Sequence, residues 1–400
     1  MTPPKIGKPM TTSASIPAKG AFRGPYAQTA LVFQGGGALG AYQAGVYQAL
    51  AEAGCAPDWL SGISIGAVNA AIIAGNEPDM RLPRLRQFWE QSTSSFRWPA
   101  LDFGDDMRRL FNYGSAISSL VSGQPGFFKP RFIPAFLQPH GASGALSVYD
   151  TSPLRTTLEA LVDFDRINAG KTRLSLGAVN ICLGNFVYFD STECNITPDH
   201  VMASAALPPG FPPIEIEGEF YWDGGLVSNT PLVHVLDTEL THDTLVFQVD
   251  LFSARGLMPG DLIEAEERKK HIVYSSRTRL NTDNFREKHA LRQAIVELFE
   301  ELPPQAKQKE KIRKLRDLGD DHAVAIVHLI YRRASYEGQA TDYEFSRTSM
   351  EEHWQAGLDD ARRTLRRPRW LERWEGVGGV RVFDLAQDTE SSTMVAATET

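Results

Sequence analysis

At 400 residues with a formal net charge of −8, the chain is long enough for one large core and a smaller second unit, because single cores stop growing near ~250–300 residues. Its 42% hydrophobic and 22% charged residues, mildly acidic in balance, exclude a disordered chain and the basic footprint of a nucleic-acid-binding protein. Three cysteines, Cys55, Cys182 and Cys194, show no CxxC spacing, which fits a reducing, cytoplasmic compartment better than a disulfide framework or a zinc site.

Residues 1–27 carry scattered basic side chains without an apolar signal segment and read as a flexible leader. The run at 29–33 is a buried strand that stops at Gly35-Gly36-Gly37. A helix is predicted over 39–53, where Tyr42, Val46 and Leu50 recur every four residues, then a strand at 59–63 and a small-residue helix at 65–74. That β-α-β-α order is the sign of a parallel sheet with helices on its faces. The small-and-apolar stretch 62–75 is shorter than the ~20 residues needed to span a bilayer. Residues 81–148 are rich in aromatics, Pro and Gly and are expected to form an irregular insertion or cap. A helix at 152–163 and strands near 173–182, 185–190, 219–222 and 244–252 complete the core. From 256 to 385 charged helical segments predict a separate α-rich appendage, and 386–400 a frayed tail.

Gly35-Gly36-Gly37-Ala38-Leu39-Gly40 lies between a strand and a helix, where free N–H groups and the helix dipole favour an anion. The same letters fit a dinucleotide-binding loop or a plain tight turn. Gly62-Ile63-Ser64-Ile65-Gly66 breaks that tie, since strand–turn–helix placement is the context of a nucleophile elbow. A dinucleotide site would want an acid at the end of the second strand; Ser64 stands there, and Asp58 lies before the strand. A serine needs a base. Asp223-Gly224-Gly225 follows a short aromatic strand and offers a carboxylate at a strand end, although Asp-Gly alone is also a common hairpin turn.

With Ala203-Ser204-Ala205-Ala206-Leu207-Pro208-Pro209-Gly210-Phe211-Pro212-Pro213 between these blocks, the combination resembles the patatin-like phospholipase family over residues 29–250. The resemblance implies a three-layer α/β/α hydrolase core with a mainly parallel sheet. It also implies an acyl-ester hydrolase of lipids with Ser64 as nucleophile, Asp223 as general base and proton acceptor, and the amides of Gly35, Gly36 and Gly37 as oxyanion hole, with no cofactor and no metal. The segment after 256 resembles an uncharacterised domain found beside bacterial patatin-like domains.

His234 is read as a packed or surface histidine, because an elbow following the second strand disfavours a Ser-His-Asp topology. Asn229 reads as a helix cap, and 207–213 as a rigid wall near the site. Contact with a membrane surface has two sources in the sequence. One is the aromatic set Phe96, Trp98, Phe127, Phe128 and Phe132. The other is the cluster Arg362, Arg363, Arg366, Arg367, Arg369 with Trp370, which also fits a solvated helix with acidic neighbours Asp359, Asp360, Glu372 and Glu375. Expected partners are a lipid or other acyl-ester substrate and a transient membrane surface at the inner face, without nucleic acid. A non-catalytic lipid-binding or scaffolding protein on the same fold is the competing function.

Overall fold

The structure is a computed structural model. It describes residues 24–94, 104–238, 242–275, 278–319, 322–332, 337–338, 341–366, 371 and 379–384. The predicted tail, most of the leader, and Phe96, Trp98, Arg367, Arg369, Trp370, Glu372 and Glu375 lie outside the described residues.

Eleven strands are described: β1 (Gln28–Phe33), β2 (Trp59–Gly62), β3 (Lys129–Pro130), β4 (Tyr149–Asp150), β5 (Arg173–Asn180), β6 (Phe186–Asp190), β7 (Ile214–Ile216), β8 (Glu219–Asp223), β9 (Thr244–Asp250), β10 (Ala323–Ile330) and β11 (Gly379–Phe383). Nine form one sheet in the order β11-β10-β9-β1-β2-β5-β8-β7, with β6 also paired to β5, while β3 and β4 make a small hairpin. The stretch from β11 to β5 is parallel. Alternation along the central strands separates two faces, as the pleat requires. Leu31, Phe33, Phe247 and Val327 point into the larger core, and Ala30, Val32, Val246 and Ile326 into the smaller one.

Helices cover both faces: α1 (Ala41–Glu52), α2 (Ile65–Ala74), α3 (Pro78–Gln91), α4 (Asp105–Ser122), α5 (Ser152–Leu161), α6 (Phe164–Asn168), α7 (Pro198–Ser204), α8 (Leu232–Asp237), α9 (Leu262–Tyr274), α10 (Thr278–Glu301), α11 (Pro304–Lys307), α12 (Glu310–Arg316) and α13 (Arg347–Leu365). Leu232, Val235 and Leu236 of α8 and Phe285 of α10 close the smaller core. All ten residues of α2 are buried. The mainly parallel, helix-covered sheet expected from the sequence is therefore present.

Two expectations change. Residues 81–148 are not simply irregular: α3 runs through Pro83, and α4 adds eighteen helical residues. Among the described residues of that span, 123–148 is a succession of turns with the short β3 strand and two single-turn 3-10 helices, Ala135–Leu137 and Ser143–Leu146. The region after 256 is α-rich as expected, but it is built into the sheet. β10 extends the sheet beside β9 over seven residue pairs, and β11 pairs with β10. On the other side α13 lies against α1 so closely that a Cβ on Gly45 would stand 1.9 Å from the Trp354 carbonyl oxygen. Trp354 donates to Gln48 at 2.7 Å and Tyr42 to Asp360 at 3.0 Å across the same contact. An eight-residue apolar strand cannot leave its backbone groups unpaired, so it joins the nearest sheet edge.

Candidate active site

The register around β5 brings two distant segments together. β2 pairs with the first half of β5, ending at Gly62 opposite Leu176. β6 overlaps that stretch and the next from the opposite edge. β8 then takes the edge that β2 has left, running antiparallel, with Asp223 opposite Ala178. The C-terminal ends of β2 and β8 thus meet head to head, and the residues just past β2 face the last residue of β8.

Ser64 sits in the turn between β2 and α2 with φ 56° and ψ −127°, a region that non-glycine residues occupy only when their surroundings over-determine them. The surroundings here are tight. A Cβ on Gly62 would come within 2.4 Å of the Gly66 carbonyl oxygen, and one on Gly66 within 2.4 Å of the Phe33 carbonyl oxygen. The Ser64 amide donates to the Ser204 carbonyl at 3.1 Å and lies 3.2 Å from the Ser204 hydroxyl, which itself donates to Gly177 at 2.6 Å. Two residues on, the Ala206 carbonyl accepts the Asp223 amide at 3.0 Å. One short segment, 204–206, therefore holds both Ser64 and Asp223 by their backbones.

The Asp223 side chain is fully buried, with Oδ1 accepting the Gly225 amide at 2.7 Å. Oδ2 is buried without a hydrogen-bond partner among the described residues. Burial pushes the carboxyl up to about 7, opposed by the Ser64 hydroxyl and the Gly225 amide. The Ser64 hydroxyl is thus near enough to favour the carboxylate, although no hydrogen bond of regular geometry joins the two.

Both residues open onto a cavity of about 310 Å³. Gly35–Gly37 form one edge, Leu207–Phe211 and Phe127, Phe128 and Tyr149 form an apolar wall, and Tyr274, Asp342 and Phe345 close it from the C-terminal region. Of the stretch 207–213, Leu207–Phe211 are thus at the cavity, and Phe127 and Phe128 are buried in its wall rather than displayed outside. Burial raises the Tyr274 hydroxyl, with the charges of Asp223 and Asp342 adding to it, so Tyr274 stays protonated at neutral pH.

The glycine loop departs from expectation at one position. Gly35 cannot offer its amide to a substrate, because it donates to the Asn229 carbonyl at 3.1 Å. Its lack of a side chain serves close packing, since a Cβ there would meet Asn229 Oδ1 at 2.3 Å and the Ser64 Cβ at 2.9 Å. The amides of Gly36 and Gly37, and that of Ile65 after the serine, have no acceptor among the described residues. Gly37 has φ +55°, and a Cβ on it would collide with the Asp342 carbonyl oxygen.

Asn229 is not a helix cap. Its Nδ2 donates to the Gly35 carbonyl at 3.0 Å and to the Tyr274 carbonyl at 3.1 Å. Gln34 works beside it, donating to the Tyr274 carbonyl at 3.0 Å and to Thr230 at 2.8 Å while accepting the amides of Leu251 and Phe252. These two amides tie the glycine loop, the segment after Asp223 and the end of α9 together. The sequence offered little sign of this beyond an Asn six residues past Asp223.

His234 is not among the residues lining the cavity. It stacks on Tyr188 at 3.8 Å between ring centroids, with its Nε2 3.3 Å from the buried Asp190 carboxylate. Burial opposes charge on Asp190, but bonds from His234, Arg173 and Ser175 outweigh it and hold the carboxyl well below the usual range. Of the arginine cluster, Arg362 pairs with Glu52 at 2.7 Å and Arg363 with Asp360 at 3.5 Å, as a solvated helix face does. Among the described residues, no group of three or more His, Cys, Asp or Glu could hold a metal ion, and no helix is long and apolar enough to cross a membrane.

A family profile described as patatin-like phospholipase matches residues 31–236, more than half of the chain and the span that carries Ser64 and Asp223. The chain belongs to the patatin-like phospholipase family, a family of ester hydrolases. A second profile, DUF3734, described as patatin phospholipase, matches residues 272–376, the region that brings Tyr274, Asp342 and Phe345 to the cavity. Among curated relatives, a triacylglycerol lipase, SDP1L, of Arabidopsis thaliana is 36% identical over 89 residues, 22% of this chain and 10% of its own length. Patatin-like phospholipase domain-containing protein 6 of Homo sapiens is 37% identical over 92 residues, 23% of this chain and 7% of its own. The matches thus span a tenth or less of those relatives. Among solved structures, VipD from Legionella pneumophila superimposes with a TM-score of 0.36 at 16% identity, covering 84% of this chain and 66% of VipD. ExoU with SpcU from Pseudomonas aeruginosa gives 0.26 at 18% identity, covering 65% of this chain and 51% of that chain.

Proposed function

We propose that this protein hydrolyses acyl esters of lipids with Ser64 as nucleophile and Asp223 as its base. The observation that carries the reading is the meeting of a strained serine turn and a buried, half-paired carboxylate on one apolar cavity. Ser64 Oγ attacks the ester carbonyl carbon as its proton passes to Asp223 Oδ2. The oxyanion is held by the amides of Gly36 and Gly37, each such donor contributing ~2.7–4 kcal/mol. Collapse breaks the C–O bond, the leaving alcohol takes the proton from Asp223, and an acyl-enzyme remains. Water then attacks the acyl carbon, passes its proton to Asp223, and the Ser64 oxygen leaves with that proton.

A carboxylate in its ordinary range is a weak base toward an alcohol, so a value lifted by burial is what this step needs. The wall of Phe127, Phe128, Tyr149 and Phe211 suits an acyl chain and gives little to a sugar or a nucleotide. Ser64→Ala and Asp223→Asn are each expected to lower hydrolysis of a short-chain ester by about 10³-fold or more with the fold intact. Turnover by either purified variant within tenfold of wild type would overturn the assignment, and would favour a lipid-binding protein on the same fold.

A further inference from the structure

The helix α4 is packed with its polar side inward. Arg108, Asn112, Ser115 and Ser119 are buried, with Arg108 bonded to Asn112, Ser349 and Glu352 and Ser119 accepting from Gln124. The large apolar side chains at Met107, Leu110, Tyr113, Ile117 and Val121 follow helical spacing and face out, 45–70% exposed. A soluble helix ordinarily turns that stripe to the core. A second exposed apolar set follows past the helix, after β3, which packs against α4: Phe132 is fully exposed, and Ile133, Phe136 and Leu137 are exposed as well.

This surface runs into the cavity. Leu120, on the same helix and partly exposed, lines it, and its carbonyl accepts the hydroxyl of Tyr149, another lining residue, at 2.8 Å. Val148, exposed at the rim, pairs through its amide with Pro209 of the cavity wall at 3.0 Å. Among the described residues the charges beside the surface are few and mixed in sign: Arg109 lies 4.0 Å from Asp106, Lys129 3.3 Å from Asp150, and Arg131 is turned onto Ser147, so apolar area outweighs charge there.

We infer that α4 and the 131–148 segment form the face by which the protein docks on a lipid bilayer, through apolar insertion, with the cavity mouth held against the acyl chains. The inference rests on the lipid-hydrolase reading. A second protein chain would cover the stripe equally well, but only a bilayer accounts for its continuity with the wall of an acyl-chain cavity, since a chain leaving the membrane would then reach Ser64 without crossing water. An interfacial helix of this kind sinks its apolar face ~5–10 Å into the headgroup boundary.

The test uses the full-length Ser64→Ala chain and phosphatidylcholine vesicles in a sedimentation assay. Binding is expected at low and high salt alike. Ile117→Asp and Phe132→Asp are each expected to weaken it at least about tenfold. In the active chain they should lower hydrolysis of vesicle lipid in proportion and leave hydrolysis of a soluble short-chain ester unchanged, which also shows that the variants fold. Vesicle binding that ignores both substitutions, or is lost instead with Arg362→Ala and Arg363→Ala, would overturn the docking face. So would a chain that cleaves the soluble ester yet never binds vesicles, or one that dimerises through Ile117. Vesicle binding without any esterase activity would instead sink the catalytic reading and leave the docking face standing.

Discussion

The turn at Ser64 and the C-terminal region border the same cavity, but they are held there by different means. Around Ser64 the backbone is crowded, with β2, α2 and β1 so close that Gly62 and Gly66 have no room for a methyl group. The C-terminal region is brought in by contacts far apart in sequence: the β10–β9 ladder, the close approach of α13 to α1, and the Tyr274 carbonyl accepting from Gln34 and Asn229. Crowding gives a rigid, locally encoded geometry. Hydrogen bonds across 45 and 240 residues give one that depends on the whole sheet being assembled.

That contrast can be tested from the strongest effect to the weakest. Asp223 carries the largest expected signal. Its carboxyl rises from 3.8 in an open chain to about 7 when folded, so the folded state binds the proton more tightly. The stabilisation this gives is complete below pH ~4 and is lost as pH rises through 7. Asp223→Asn should therefore gain stability relative to wild type between pH 4 and pH 8, by as much as about 4 kcal/mol. Urea midpoints of both chains across that range decide it, and parallel pH dependences would contradict the burial account. Hydrolysis by wild type should rise over the same interval as the base ionises.

Gly66→Ala places a methyl group against a fixed carbonyl and should lower unfolding free energy by about 3 kcal/mol or more, read from the same titration. Asn229→Ala should act more gently and more selectively. The Gly35 carbonyl loses its side-chain donor, while that of Tyr274 keeps Gln34; an unmet buried carbonyl costs ~1–3 kcal/mol, and the displaced loop should lower kcat about 10–100-fold with little change in KM. An equal loss in both parameters would argue for a general collapse of the cavity. Arg362→Ala removes an exposed ion pair on α13 and should move stability by less than about 0.5 kcal/mol.

Legibility followed the same division. The glycine loop, the Ser64 turn and Asp223-Gly224-Gly225 could be read because backbone crowding demands particular residues at fixed spacing. β10 could not: AVAIVHLI is a plain apolar run between charged helices, and only its pairing with β9 shows it to be a strand of the main sheet. The parts of Asn229 and Ser204 were hidden for a related reason, since each acts on a partner far away in sequence. The segment holding α4 reads in sequence as part of an irregular insertion, because Pro, Gly and aromatic residues around it mask the helical spacing of Leu110, Tyr113 and Ile117, and nothing in that spacing says which side faces the protein. The side was decided by Ser349 and Glu352, more than two hundred residues downstream.

The most direct test of the catalytic centre is covalent labelling with a serine-directed fluorophosphonate, followed by peptide mass analysis. Wild type should take up one label per chain on the peptide containing Ser64, and Asp223→Asn should label at least about 100-fold more slowly. Label on another residue, or equal rates in the two chains, would contradict the account.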